Sequence, residues 1–236
     1  MKVLIIIPAY NEADNIEKLV DNLISNYLEY DYIIVNDGST DATKNICLKN
    51  RYQFLNLPIN MGIGGAVQAG YRYARDNGYD AAVQIDGDGQ HDVAYLKEML
   101  KILESGQADA VIGSRFVDKE GYQSSKLRRV GINFLSVLGW MLTGVRVKDI
   151  TSGYRVVNKK FITIFAEDYP ADYPEPEALV IVAVHGGKVV EYPVIMRERE
   201  NGESSITFKK SIYYMCKVTI AMLIRRLSLG VRRAKK

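Results

Sequence analysis

Residues 3–41, VLIIIPAYNEADNIEKLVDNLISNYLEYDYIIVNDGSTD, decide the fold class. Val3–Ile7 is a short continuous apolar run of the kind a strand buried on both faces requires. In the next segment Ile16, Leu19, Val20, Leu23, Ile24 and Leu28 recur at helical spacing, with Asn11 and Glu12 as cap-type residues before them. A second apolar run, Tyr32–Val35, comes next and ends on NDGSTD. Strand, amphipathic helix, strand is a βαβ unit, whose two strands are parallel and whose crossover is right-handed.

The alternation continues. Apolar runs recur at Phe54–Leu57, Ala81–Ile85 and Ala108–Ile112, with helical spacing between them. The expected fold is therefore α/β, a Rossmann-like and mainly parallel sheet with flanking helices. Each run is succeeded by a polar or glycine-rich cluster: PAYNE at 8–12, NDGSTD at 36–41, NMGIGGAVQAG at 60–70, DGDGQHD at 86–92 and GSRF at 113–116. Each cluster lies at the carboxyl end of its strand, the edge where open α/β sheets bind ligands.

Further on, 125–144 reads as a helix with basic residues at its start and an apolar body. DITSGYRVV (149–157) reads as a loop entering a strand, and 187–198 as an edge strand, given Pro193. Residues 207–233 read as a long amphipathic helix. After Glu203 there is no acidic residue, although the net charge is only +3. Such a basic end points to an anionic partner. The 47% hydrophobic and 25% charged composition excludes a disordered chain. The start, MKVLIIIPAYNE, is too short an apolar run for a signal sequence, and Cys47 and Cys216 form no CxxC, so a cytoplasmic location is expected. With His91 and His185 as the only histidines, a His-rich zinc site is not expected.

Several chemistries stay open at the level of single residues. If 86–90 is extended, Asp86, Asp88 and Gln90 point the same way and offer hard oxygen ligands to Mg²⁺ or Mn²⁺; the alternative is a DG-rich turn. Asp92 reads as a helix cap. Asp37 suits a ribose hydroxyl, a base N–H or a cap position. Gly62, Gly64 and Gly65 suit close approach to a ligand or close helix packing. Arg115 suits a phosphate or a surface salt bridge. Arg128 and Arg129 oppose the dipole at the start of their helix, which favours an anion there over ordinary solvated arginines.

The order PAYNE, NDGSTD, NxGxGGA, QxDxDxQH, GSR, DxTSGYR resembles the family 2 inverting glycosyltransferases, and within them the dolichol-phosphate mannose synthase and polyprenyl-phosphate hexosyltransferase branch, over roughly residues 1–205. The resemblance implies a GT-A fold and a nucleotide-sugar donor, a UDP-sugar being expected. It implies donor-binding roles for Pro8, Tyr10, Glu12, Asp37, Gly62 and Arg199, and metal ligands at Asp86, Asp88 and Gln90. Asp88, Arg115 and Asp149 are expected at the chemistry, and Arg128, Arg129, Ser152 and Arg155 on the acceptor side. In the late loop RENGESS (199–205), Arg199, Gly202 and Ser204 match the branch, whereas Ser205 stands in place of its lysine.

A polyprenyl-phosphate acceptor needs no strong base; a sugar hydroxyl does, and Glu175 and Glu177 are the candidates for it. Glycoconjugate synthesis at the cell surface is the expected setting. The expected division is a donor half (1–115), an acceptor half (116–205) and a basic helix (206–236). That helix, with Trp140 and the apolar helix at 131–145, is expected to meet an anionic membrane on its inner face, a membrane-protein partner or another copy of the chain, and not nucleic acid. Two other classes compete: a sugar-phosphate nucleotidyltransferase, whose G-x-G-T-R-x-x-P signature is absent, and a non-catalytic membrane- or nucleic-acid-binding module, which leaves the carboxylates at 86–92 unexplained.

Overall fold

The opening βαβ unit forms as the periodicity predicts: β1 (Val3–Ala9), α1 (Ile16–Asn26) and β2 (Asp31–Asn36). Every β1 residue is buried, and α1 turns Ile16, Leu19, Val20 and Leu23 inward. The cap differs from expectation. Asn15 is the N-cap of α1, while Asn11 takes a left-handed conformation (φ 57°) and accepts from Thr40 N through its Oδ1 at 2.8 Å. Asn11 thus ties the first loop to the second, and Glu12 contributes its carbonyl to Asn15 N and Ile16 N.

The structure is a computed structural model that describes residues 1–118, 126–196 and 208–234. The chain continues through α2 (Thr43–Lys49), β3 (Phe54–Asn56), α3 (Gly62–Asp76), β4 (Ala81–Gln84), a short 3₁₀ turn, α4 (Leu96–Glu104), β5 (Ala110–Ser114) and α5 (Lys126–Thr143). It ends with β6 (Arg155–Asn158), α6 (Lys159–Glu167), α7 (Pro174–Val184), β7 (Val189–Pro193) and α8 (Phe208–Ala234). β5 begins two residues later than the apolar run. Asp109 makes a corner there, its carboxylate held by Asn158 Nδ2 at 2.7 Å and Lys188 N at 2.8 Å.

The seven strands run in the order β3-β2-β1-β4-β6-β5-β7. All neighbours pair in parallel except β6, which runs antiparallel to both β4 and β5. That reversal positions the site. The carboxyl ends of the parallel strands and the amino end of β6 share one edge, so the loop 149–154 joins the five clusters. Apolar cores lie on both faces of the sheet, one including α1 and α4, the other α3, α5, α6, α7 and α8. Val218 and Met222 of α8 belong to the second core, so the basic helix is packed into the molecule. Pro193 ends the edge strand β7, where its missing N–H costs no ladder bond.

Candidate active site at the carboxyl edge of the sheet

On one side of this edge the loops after β1, β2 and β3 are sewn together. Asp37 is buried, and its Oδ1 accepts from Met61 N at 2.7 Å, capping the start of α3. Gly38, at φ 66°, leaves no room for a side chain: a Cβ would lie 2.7 Å from Asn60 N. Asn11 N donates to Ser39 Oγ, and Glu12 N to Thr43 Oγ1. Tyr10 stands 48% exposed on this rim, beside buried Pro8. Gly62 opens α3 at φ 77°, and Gly64 brings that helix onto the 170–171 backbone, where a Cβ would meet Pro170 O at 1.9 Å. Of the two roles open to these glycines, close packing accounts for Gly64.

The carboxylates of 86–92 sit on a turn, not on an extended segment. Residues 87–88 turn, Gly89 is left-handed (φ 73°), and Gln90 N donates to Asp88 Oδ1 at 3.1 Å. The strand alternation that would point Asp86, Asp88 and Gln90 the same way is therefore absent, and what links them is a shared turn. A Cβ on Gly87 would meet Pro8 O at 3.1 Å, so this turn lies directly against the first loop. A Cβ on Gly153 would meet Asp86 Oδ2 at 3.0 Å, so the loop entering β6 lies on the Asp86 carboxylate.

Gln84 Nε2 donates to Asp86 Oδ1 at 3.2 Å. Buried His91 accepts from Asp86 N at 3.1 Å through Nδ1, places Nε2 3.7 Å from Asp86 Oδ2, and stacks on Tyr154 with ring centroids 5.1 Å apart. His91, without a role at the level of sequence, thus backs Asp86 on both its main chain and its side chain. Asp92 does cap, accepting from Ala94 N at 2.9 Å. Two carboxylates and an amide oxygen on one turn suit a hard divalent cation. Among the described residues no three His, Cys, Asp or Glu side chains form a cage able to hold a metal alone.

On the other side lie the arginines. Arg115 is buried, and its fork engages the fully buried Asp149: Nε to Oδ2 and Nη2 to Oδ1, both at 2.7 Å. Asp149 in turn is fixed by Glu191, which accepts from Lys148 N and Asp149 N at 2.8 and 2.9 Å. The pair is therefore interior, not a surface salt bridge, and Asp149 positions Arg115 rather than facing the cleft. Arg129 lies over the Phe116 ring, 3.3 Å from its centroid, and its Nη1 is buried without a hydrogen-bond partner among the described residues. Burial pushes the Arg129 pKa down, with Asp149 opposing and Arg115 adding to the effect. Arg128 is exposed at the same helix end.

Two residues expected on the acceptor side are framework in this structure. Ser152 Oγ donates to Gly113 O at 2.6 Å, and Arg155 donates to the carbonyls of Ser152, Glu175 and Ile150. Both clamp the loop before β6 against β5 and α7. The two glutamates also part ways. Glu177 meets Arg225 of α8 at 3.6 Å and belongs to a helix contact. Glu175 lies near Arg155 and Asp86, and burial pushes its carboxyl up to about 7. Arg199, Gly202, Ser204 and Ser205 fall outside the described residues.

Comparisons with known proteins bear on the family and the fold. The sequence model described as glycosyl transferase family 2 matches residues 4–165. Undecaprenyl-phosphate mannosyltransferase of Micrococcus luteus is 31% identical over 218 residues, covering 88% of both chains. The UDP-N-acetylglucosamine–dolichyl-phosphate N-acetylglucosaminyltransferase of Methanococcus voltae is 30% identical, over 81% of this chain and 84% of its own. Glucosyl-3-phosphoglycerate synthase of Mycobacterium tuberculosis, in complex with Mn²⁺, UDP-glucose and phosphoglyceric acid, superposes with a TM-score of 0.73 over 95% of this chain and 79% of its own, at 17% identity. That likeness establishes the GT-A fold.

Proposed function

The chain belongs to glycosyl transferase family 2, and on that premise we propose that it moves a hexose from a nucleoside-diphosphate sugar to the phosphate of a polyprenyl-phosphate lipid, with inversion at the anomeric carbon. One observation carries the proposal. The carboxylates Asp86 and Asp88 share a sheet edge with the buried Arg115 and the stacked Arg129, in a chain alignable over most of its length with transferases named for lipid-phosphate acceptors.

In this reading the loops around Asp37, Tyr10, Pro8, Glu12 and Gly62 receive the nucleotide, and Arg199 keeps the donor-binding role that its motif's resemblance implies. Asp86, Asp88 and Gln90 would hold Mg²⁺ or Mn²⁺, which when bound neutralises charge on the departing nucleoside diphosphate. His91 holds Asp86 in place through its backbone bond. Asp149 holds the Arg115 guanidinium rigid, and Arg129, with a buried Nη1 left to donate, attracts the acceptor phosphate, aided by Arg128. The acceptor is already an anion, so no side chain need remove a proton from it. The donor half is 1–115 and the acceptor half 116–205.

The proposal is tested by incubating the protein and Mn²⁺ with UDP- and GDP-sugars, with and without a prenyl phosphate. Nucleoside diphosphate release that requires the prenyl phosphate, with sugar recovered in the lipid phase, is the expected result. Pyrophosphate release would instead mean nucleotidyl transfer, and no turnover a binding protein. Glu175, with its carboxyl near pH 7, favours one second reading, transfer to a sugar hydroxyl with Glu175 as base. Under that reading Glu175→Gln abolishes transfer; under the first it leaves transfer to prenyl phosphate largely intact.

A further inference from the structure

β4 ends on a buried amide. Ala81, Val83 and Ile85 turn into the core that holds α1 and α4, and Ala82 into the core on the other face. Gln84 alternates to the same side as Ala82, where an apolar side chain is the usual occupant, and it is 1% exposed.

Only half of that amide is satisfied. Nε2 donates to Asp86 Oδ1 at 3.2 Å, whereas Oε1 is buried with no hydrogen-bond partner among the described residues. Turning the amide over would not help, because a carboxylate accepts and would then face the amide oxygen. Arg155, the cross-strand partner of Gln84, spends Nε, Nη1 and Nη2 on the carbonyls of Ser152, Glu175 and Ile150. A buried acceptor left without a donor destabilises a fold, so its presence calls for another reason.

That reason lies two residues on. Carried past the end of β6, the register that pairs Gln84 with Arg155 sets Gly153 opposite Asp86. A Cβ on Gly153 would lie 3.0 and 3.1 Å from the two Asp86 carboxylate oxygens and 3.1 Å from Gln84 Nε2. Gly153 is not left-handed, so space rather than backbone freedom calls for glycine there. Its bare backbone rests on the Gln84–Asp86 pair. The Asp86 side chain is 38% exposed, so it stays open to the cleft.

We propose that Gln84 and Gly153 form a seat that fixes the orientation of the Asp86 carboxylate and so sets the affinity of the 86–90 turn for a divalent cation; the proposal rests on the metal-ligand role given to Asp86 above. Gln84 is a positioning residue in this scheme. It holds Oδ1, Gly153 bounds the carboxylate from the loop before β6, and His91 holds the main chain at Asp86 N. A ligand oriented before the cation arrives loses less conformational freedom on binding. The stranded Gln84 oxygen is the cost of that orientation.

Stability and cation affinity must then respond in opposite senses at position 84. Gln84→Met keeps the length of the side chain and removes both the hydrogen bond and the stranded acceptor. Asp86, being partly exposed, takes water in place of Nε2. The variant should unfold at the wild-type temperature or above it, yet bind Mn²⁺ roughly tenfold more weakly. Gly153→Ala acts from the other side. Its methyl displaces the Asp86 carboxylate, and Mn²⁺ binding should weaken by a similar factor.

The test is titration of the full chain with Mn²⁺ alone, followed by electron paramagnetic resonance of the free ion, together with thermal unfolding of the metal-free proteins. Where wild type takes Mn²⁺ only alongside UDP or GDP, the comparison is made with that nucleotide present. A Gln84→Met protein that binds Mn²⁺ as tightly as wild type overturns the proposal. So does one that loses stability along with affinity, or fails to fold, since the amide would then be framework. A folded Gly153→Ala protein with wild-type affinity likewise overturns the seat. Two failures stay distinct. Wild-type protein that binds no Mn²⁺ under either condition refutes the metal role of Asp86 and this proposal with it. Mn²⁺ binding shared equally by wild type and both variants refutes the seat and leaves that role standing.

Discussion

Glu175 shows how much a residue's surroundings add to its type. Burial is the main cause that raises its carboxyl to about 7; Arg155 opposes the shift and Asp86 adds to it. The folded protein holds this proton more tightly than the unfolded chain, so the stability gained is complete below about pH 4.5 and is lost as pH rises through about 7. Glu175→Gln, neutral at every pH, should therefore be more stable than wild type near pH 8 by on the order of 1–3 kcal/mol, with the difference closing toward pH 5. Urea unfolding at the two pH values checks it, and a variant less stable at the higher pH would refute it. His91 carries a second prediction. His91→Phe preserves the stack on Tyr154 but removes the acceptor for Asp86 N. Mn²⁺ binding to the protein without donor, monitored by electron paramagnetic resonance, should weaken roughly 10–100-fold, the usual effect of losing a group that orients a ligand. Unchanged Mn²⁺ affinity would show that Asp86 needs no such support, or is not a ligand. The sequence marks Asp86, Asp88 and Arg115 as worth attention because polar residues after an apolar run have no packing reason to be there, whereas Asp149 is marked only by the resemblance of its motif. It does not reveal which carbonyl a given donor faces. Ser152 and Arg155 therefore look like ligand groups until Gly113, Ile150 and Glu175 are seen to take their hydrogen bonds.

Elements whose apolar residues have a recognisable period, or form a run of strand length, are legible in a sequence, and those without either are not. β1, α1 and β2 emerge from period alone, because each alternates between core and solvent or is buried along its whole length. α7 hides its type. PEPEALVIVAV is apolar on every side, being covered by α5, α8 and the sheet, so no helical period survives in it. The antiparallel sense of β6 is hidden too, since an apolar run carries no direction; yet that sense brings Gly153 onto Asp86. Between elements, glycine spacing is informative only once the neighbours are known. Gly64 looks like part of a ligand loop and instead admits the 170–171 backbone against α3. Gly64→Ala should destabilise the fold by about 3 kcal/mol, since a rigid carbonyl, not a flexible side chain, occupies the space. Gly78→Ala is the contrast: it meets nothing within 4 Å and carries only the strain of its φ of 70°. Thermal unfolding of both variants checks the ranking, and a Gly64→Ala protein as stable as Gly78→Ala would contradict the packing argument.

At the scale of the whole molecule, the basic end of the chain is the feature whose meaning changes most. Its charge and amphipathic pattern read as an appendage beyond residue 205, added for a membrane or a partner. The structure makes α8 two things at once. Its outer stripe is exposed, but Val218 and Met222 fill the core over α7, and Arg225 reaches Asp168 at 2.6 Å and Glu177 at 3.6 Å. A chain ended after Glu203 would thus lose more than a surface anchor. It would uncover Leu179 and its neighbours on α7 and leave Glu177, a half-buried carboxylate whose pKa burial already raises, without its arginine. Removing the burial of two large apolar side chains alone should lower stability by about 3–6 kcal/mol, much of what a domain of this size has. The truncated protein should accordingly express as aggregate, or unfold far below the full chain, and Mn²⁺ binding at Asp86 should be lost with the fold. If the truncated chain instead remained monomeric with an unchanged unfolding temperature, α8 would be an appendage after all. Single substitutions on the outer stripe then separate the two roles of the helix: Ile224→Asp should leave the unfolding temperature where it is, whereas Met222→Asp, on the opposite face of the same turn, should reproduce the truncation.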